Sequence, residues 1–205
     1  MSRVDRVNQL LRRVPAWAVY AGGVLPFLWI VWLTVTNGLG PDPVKAIELR
    51  LGLLGLQFLL ASLCVTPLRW AGLNLIRYRR ALGLLAFFYV SLHLSAWIVL
   101  DMGLRWQEMA ADIVKRWYVL IGMTGFVAMV PLAITSNTAS IRRMGAAAWG
   151  RLHRLAYVAA LAGAIHFVVL VKAWPPEPLL YLGAVLSLLA MRLWKQRQRW
   201  VPRPA

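Results

Sequence analysis

The chain is poor in acids, cysteine and histidine, with seven Asp and Glu, one Cys and three His among 205 residues. A single cysteine, Cys64, excludes an internal disulfide framework, and its place in an apolar run reads as a plain buried thiol. Polar stretches are as scarce. No linker or low-complexity tract divides the chain, so a single membrane domain over 1–205 is expected. The first apolar run is too long for a signal peptide and is followed by no small-residue cleavage pattern, so it is expected to stay as the first span.

What the chain has in excess is apolar surface. Sixty per cent of its residues are hydrophobic, eleven are Trp, and the mean hydropathy is +0.64. No soluble domain of this size buries so much, which makes the chain an all-α integral membrane bundle. Six apolar segments, 16–36, 49–66, 81–100, 118–135, 152–171 and 179–194, approach the ~20 residues that cross a ~30 Å hydrocarbon layer as a helix. The last is the shortest. Thr66-Pro67 is read as the end of the second span, and the proline-rich runs at 40–43 and 174–178 as breaks between spans.

The charges predict the orientation. With both termini in the cytoplasm, the inner segments carry seventeen of the twenty-three Lys and Arg and one acid, Asp5, while the outer segments hold six bases and six acids. The net charge of +16 then lies wholly inside, as the positive-inside rule requires. Topology and contacts with anionic lipid account for a basic balance of this kind, and no nucleic-acid partner is expected. Arg77, Arg79 and Arg80 beside Tyr78 stand apart as candidates to hold a phosphate-bearing cofactor or a docking partner.

All three histidines, His93, His153 and His166, lie in the apolar segments. Imidazole is costly to hold in hydrocarbon without a partner, and histidines paired across helices are a means of clamping haem iron. His93 is seven residues before Leu100 and His166 six before Lys172, which places both about 10 Å below the outer boundary. They match in depth. His153, thirteen residues before His166, sits ~20 Å deeper and some 140° away around an ideal helix. Ala162 and Gly163 near His166, and Gly150 and Ala156 near His153, would let a macrocycle approach the backbone or serve helix packing. His93 and His166 are expected to ligate one b haem. A quinol-linked cytochrome b anchor would share these histidines, whereas a transporter or scaffold would use them structurally.

The chain resembles the MsrQ (YedZ) family, haem-binding membrane subunits of bacterial MsrPQ methionine sulfoxide reductase systems, in the ferric reductase-like transmembrane group that includes the NADPH oxidases. The resemblance rests on Asp42-Pro43-Val44-Lys45, Val65-Thr66-Pro67-Leu68-Arg69, the run from Arg79-Arg80-Ala81-Leu82-Gly83-Leu84 to Leu92-His93, Pro131-Leu132-Ala133-Ile134-Thr135-Ser136, Trp149-Gly150-Arg151-Leu152-His153-Arg154, and His166. Trp117 stands in place of an expected proline and Leu51 in place of an expected threonine.

The resemblance implies a multi-pass protein of the bacterial inner membrane with heme b and FMN as cofactors. It implies electrons passing from the quinone pool or a cytosolic flavin reductase to a periplasmic molybdopterin methionine sulfoxide reductase, MsrP, as heterodimer partner. Few residues follow Trp194 and the outer loops are short, so the electron donor and the sulfoxide chemistry are expected to reside on other molecules. The chain would be an electron-transfer subunit with no catalytic domain of its own. Where the oxidases place a further haem-ligating histidine, about fourteen residues before His93, this chain has Arg79, which cannot ligate iron as a cation. His153 is left with two alternatives: a second haem with an unidentified partner, or a place at a quinone, flavin or haem-propionate site.

Overall fold

The computed structural model describes residues 2–171 and 175–198, and the described elements are helical. Six of them are long and apolar enough to cross a membrane, so the protein is a multi-pass integral membrane protein. α2 (Ala16–Val35), α3 (Pro43–Trp70), α6 (Trp117–Ile134) and α9 (Pro176–Gln198) supply four spans; α4 (Arg79–Ala96) is the body of another, Ile76–Asp101, and α8 (Leu155–Leu170) ends the remaining one, Thr138–Leu170. A π-helical turn over Trp97–Asp101 extends α4. α3 packs chiefly on α4, and α6 chiefly on α8. These two pairs meet through Leu56, Leu59, Leu60, Leu63, Ala86, Ala128, Ala160 and Ala164, and α9 closes on α8 with Val185 and Leu188. Outward-facing Leu25, Trp29, Trp32 and Val127 are exposed, as lipid-facing side chains should be.

Three prolines lie inside spans, and two show how the broken ladder is repaired. Pro26 interrupts α2, and the fully buried Tyr89 of α4 inserts its hydroxyl there, accepting from Phe27 N at 3.0 Å and donating to Gly23 O at 2.6 Å. Gly23 lets α4 come this close, since a side chain there would strike Leu85. Pro67 does not end α3 as the sequence suggested; the helix runs on to Trp70. Proline has no N–H for the carbonyl four residues back, and that carbonyl, Leu63 O, takes a hydrogen bond from Arg192 Nη2 instead.

Three shorter helices lie outside the six segments read from hydropathy. α1 (Arg3–Arg13) is amphipathic, with a Ser2–Asp5 capping box at its start and Val4, Val7 and Leu10 exposed. It docks on the turn between α3 and α4, where Asn8 bonds Gly72 O and Asn74 N, and the Tyr78 hydroxyl meets the carbonyls of Leu11 and Val14. α5 (Trp106–Lys115) caps the opposite end and buries Met109. α7 (Thr138–Leu152), capped by Asn137 and kinked at Gly145 (φ +77°), leads into α8.

Candidate functional site

The sequence pairs His93 with His166 by depth, and the structure brings them together between the two helix pairs. Their ring centroids are 6.3 Å apart, with planes crossed at 74°. His93 comes from α4 and His166 from α8. Each ring is held by the partner helix of its own pair.

The holding device occurs twice in the same form. His93 Nδ1 lies 2.9 Å from Glu48 O on α3, and His166 Nδ1 lies 2.7 Å from Tyr118 O on α6. A carbonyl only accepts, so each Nδ1 carries the proton and donates, and each ring is left with its lone pair on Nε2. Four residues beyond each carbonyl is a glycine. A Cβ on Gly52 would lie 3.2 Å from His93 Nδ1, and one on Gly122 would lie 2.9 Å from His166 Nδ1. Position i supplies the acceptor and i+4 supplies the clearance, because residues four apart share a helix face. Sequence reasoning missed all four residues. Their signal is the spacing Glu48-x-x-x-Gly52 and Tyr118-x-x-x-Gly122, meaningless until each helix is known to face its histidine.

Two imidazoles with Nε2 lone pairs at this separation suit one iron-sized ion. A metal midway with bonds of about 2 Å would set the centroids about 6.2 Å apart, close to the spacing found. Among the described residues, no group of three or more His, Cys, Asp and Glu gathers to complete a protein-only metal site. Two facing-helix imidazoles held in one tautomer fit a haem, whose iron they would hold.

His153 is built differently. It lies inside the fifth candidate span, Thr138–Leu170, but at the turn between α7 and α8, since α8 starts at Leu155. The ~140° offset from His166 therefore assumed a continuous helix that this turn interrupts. His153 Nε2 is 3.1 Å from Thr135 Oγ1, whose own proton goes to Pro131 O at 2.6 Å, so the imidazole must be the donor. Trp149 stacks on the ring at 3.7 Å and donates its indole N–H to Thr135 O.

The three arginines separate. Arg77 donates to Arg12 O at 2.9 Å and lies over the Tyr78 ring, bracing α1. Arg80 is exposed. Arg79 is half-buried and within electrostatic reach of His153, Tyr157 and Arg192. Arg192 and Tyr157 were not among the residues singled out from the sequence.

The fold and the paired imidazoles define a membrane-embedded helical bundle with two histidines brought together between two helix pairs. Residues 48–164 match the family described as ferric reductase like transmembrane component, a stretch that opens on Glu48 and closes two residues before His166. Among relatives, the protein-methionine-sulfoxide reductase heme-binding subunit MsrQ of Brucella anthropi is 48% identical over 184 residues, covering 89% of this chain and 83% of that protein. Its counterpart in Brucella ovis is 47% identical over 178 residues, covering 86% and 80%. The chain belongs to the MsrQ heme-binding subunits within the ferric reductase-like transmembrane family. Its location is accordingly the bacterial inner membrane.

Proposed function

We propose that the protein is the transmembrane electron-transfer subunit of a methionine sulfoxide reductase system, in which His93 and His166 would hold the iron of one b haem. The observation that carries this is the pair of Nδ1-protonated imidazoles 6.3 Å apart, each fixed by a carbonyl and a glycine of its neighbouring helix. A bound haem supplies a one-electron carrier in the apolar layer that electrons could not otherwise cross. The chain's own residues set its character. Glu48 O and Tyr118 O hold each ring in one tautomer and one orientation, and by accepting from Nδ1–H they make Nε2 the stronger donor. Aliphatic side chains of the bundle keep water away.

The orientation follows from the charge asymmetry, with the arginine-rich end in the cytoplasm and the histidine pair nearer the periplasmic end. Electrons enter from the quinone pool or a cytosolic flavin reductase and leave to a periplasmic molybdopterin enzyme of the MsrP type. That enzyme reduces oxidised methionine in periplasmic proteins. FMN joins heme b as a second cofactor in this reading, and His153 serves the input side.

A reduced-minus-oxidised absorption spectrum of the purified protein tests the proposal, together with haem content in three single variants. His93→Ala and His166→Ala should each lose most of the haem, because no nearby Met or Cys replaces the ligand. His153→Ala should keep it but slow its reduction by quinol or flavin. A flat difference spectrum, or loss of all haem in His153→Ala with retention in His166→Ala, would overturn the pairing.

A further inference from the structure

Arg192 lies within the last span, six residues before the end of α9, at the basic end of the bundle. Its Nη2 donates to Leu63 O, the carbonyl orphaned by Pro67, and its Nη1 donates to the Tyr157 hydroxyl at 2.8 Å, with the guanidinium 5.0 Å from the Tyr157 ring centre. A brace between α3, α8 and α9 accounts for these contacts. It does not account for Nε, which is buried without a hydrogen-bond partner. Nor does it account for Arg79 at the start of α4, whose carbonyl is held by Ser62, the residue before the Leu63 that Arg192 holds.

Two guanidiniums in one partly buried place repel each other and call for a counter-charge. Among the described residues no acid pairs with either. Asp5 is the one acid in the segments at this end, and Ser2 holds it at the start of α1. Among the described residues the ion pairs are Arg105–Glu108 and Arg116–Asp112, both at the opposite end. The remaining donors converge in type. Arg192 Nε–H is unused, the Tyr157 hydroxyl accepts from Arg192 and keeps its own proton to give, and the N-terminus of the 18-residue α4 adds positive potential. Ser62 Oγ, donating to Arg79 O at 3.3 Å, ties that N-terminus to α3 beside Leu63.

We propose that Arg79 and Arg192, with the Tyr157 hydroxyl, form a binding site for a phosphate group at the cytoplasmic end of the bundle, separate from the histidine pair. A planar, permanently charged fork suits phosphate oxygens, and two forks with a hydroxyl suit a tetrahedral anion. The phosphate has two possible sources, the headgroup of an anionic lipid and a soluble phosphate compound. The site does not depend on the haem reading, because none of its residues touches His93 or His166.

The full-length protein would be reconstituted in phosphatidylcholine and titrated separately with phosphatidylglycerol and with inorganic phosphate, with bound adducts counted by native mass spectrometry. Wild type should hold one adduct with an affinity at least about tenfold above that of Arg79→Gln or of Arg192→Gln, the effect of losing a charge-assisted hydrogen bond. Arg142→Gln, at an exposed arginine of α7, should behave as wild type. Selective retention of phosphatidylglycerol assigns the lipid source, and selective retention of inorganic phosphate assigns the soluble one. Arg192→Gln also removes a brace, so Arg79→Gln, which leaves the Ser62 bond to the backbone carbonyl in place, keeps the test decisive if the first variant misfolds. Equal binding of both probes by wild type and Arg79→Gln, or an equal loss in Arg142→Gln, would overturn the site.

Discussion

Gly122→Ala isolates the clearance beneath His166 without touching the histidine itself. The new methyl carbon would lie 2.9 Å from His166 Nδ1, 3.1 Å from Cε1 and 3.3 Å from Cγ, whereas non-bonded heavy atoms settle near ~3.5 Å or more. The ring must therefore move by roughly 0.5 Å, away from the helix that supplies its hydrogen bond. That shift would take the 2.7 Å bond to Tyr118 O toward the outer limit of a hydrogen bond. Losing most of it costs about 0.5–1.5 kcal/mol and overpacking about 1–3 kcal/mol, while alanine returns about 1 kcal/mol of helix propensity. The net, roughly 0.5–3.5 kcal/mol, corresponds to about 2- to 400-fold weaker retention of the haem. Gly52→Ala is milder, since its methyl would lie 3.2 Å from His93 Nδ1. Gly183→Ala, on α9 with no atom within 4 Å, is the control. The assay is haem per protein after purification, with the low-spin absorption spectrum as a readout that general destabilisation would not shift. If Gly122→Ala matched Gly183→Ala in both, or Gly52→Ala were the worse of the pair, the clearance argument would fail.

Tyr89→Phe removes the hydroxyl that bridges the break at Pro26, leaving Phe27 N and Gly23 O without it, and should cost about 1–3 kcal/mol; an unchanged melting temperature in detergent would refute this repair. The Ser2 backbone N–H, and then its hydroxyl, hold the Asp5 carboxyl below the ordinary carboxylate range. The capping contribution is therefore full above the ordinary range and is lost as pH falls through the depressed folded value, so hydrogen exchange in α1 should accelerate only in strong acid. The outer segments carry six bases and six acids, so association with the periplasmic partner should depend weakly on salt. A loss of orders of magnitude on adding moderate salt would contradict a neutral docking face.

The spans were legible because a helix crossing lipid needs about 20 apolar residues, and such runs stand out against any background. α1 and α5 were not, since each is too short and too polar for a hydropathy window, although the Ser2-x-x-Asp5 box was there to be read. The end of α3 was misplaced because a proline predicts a break only when nothing takes up the freed carbonyl, and Arg192, 129 residues away, does so. His93 and His166 could be matched by counting along two helices, because rise per residue converts sequence distance into depth. Counting gives no azimuth between helices. Only packing decided that Glu48 and Gly52 meet one imidazole while Tyr118 and Gly122 meet the other, that His153 belongs to a turn, and that Arg192 meets Leu63 and Tyr157. A single chain records the depth of each side chain in its hydrophobic pattern, but the rotation of one helix against another is set by which small residues permit close approach, and that is a property of pairs.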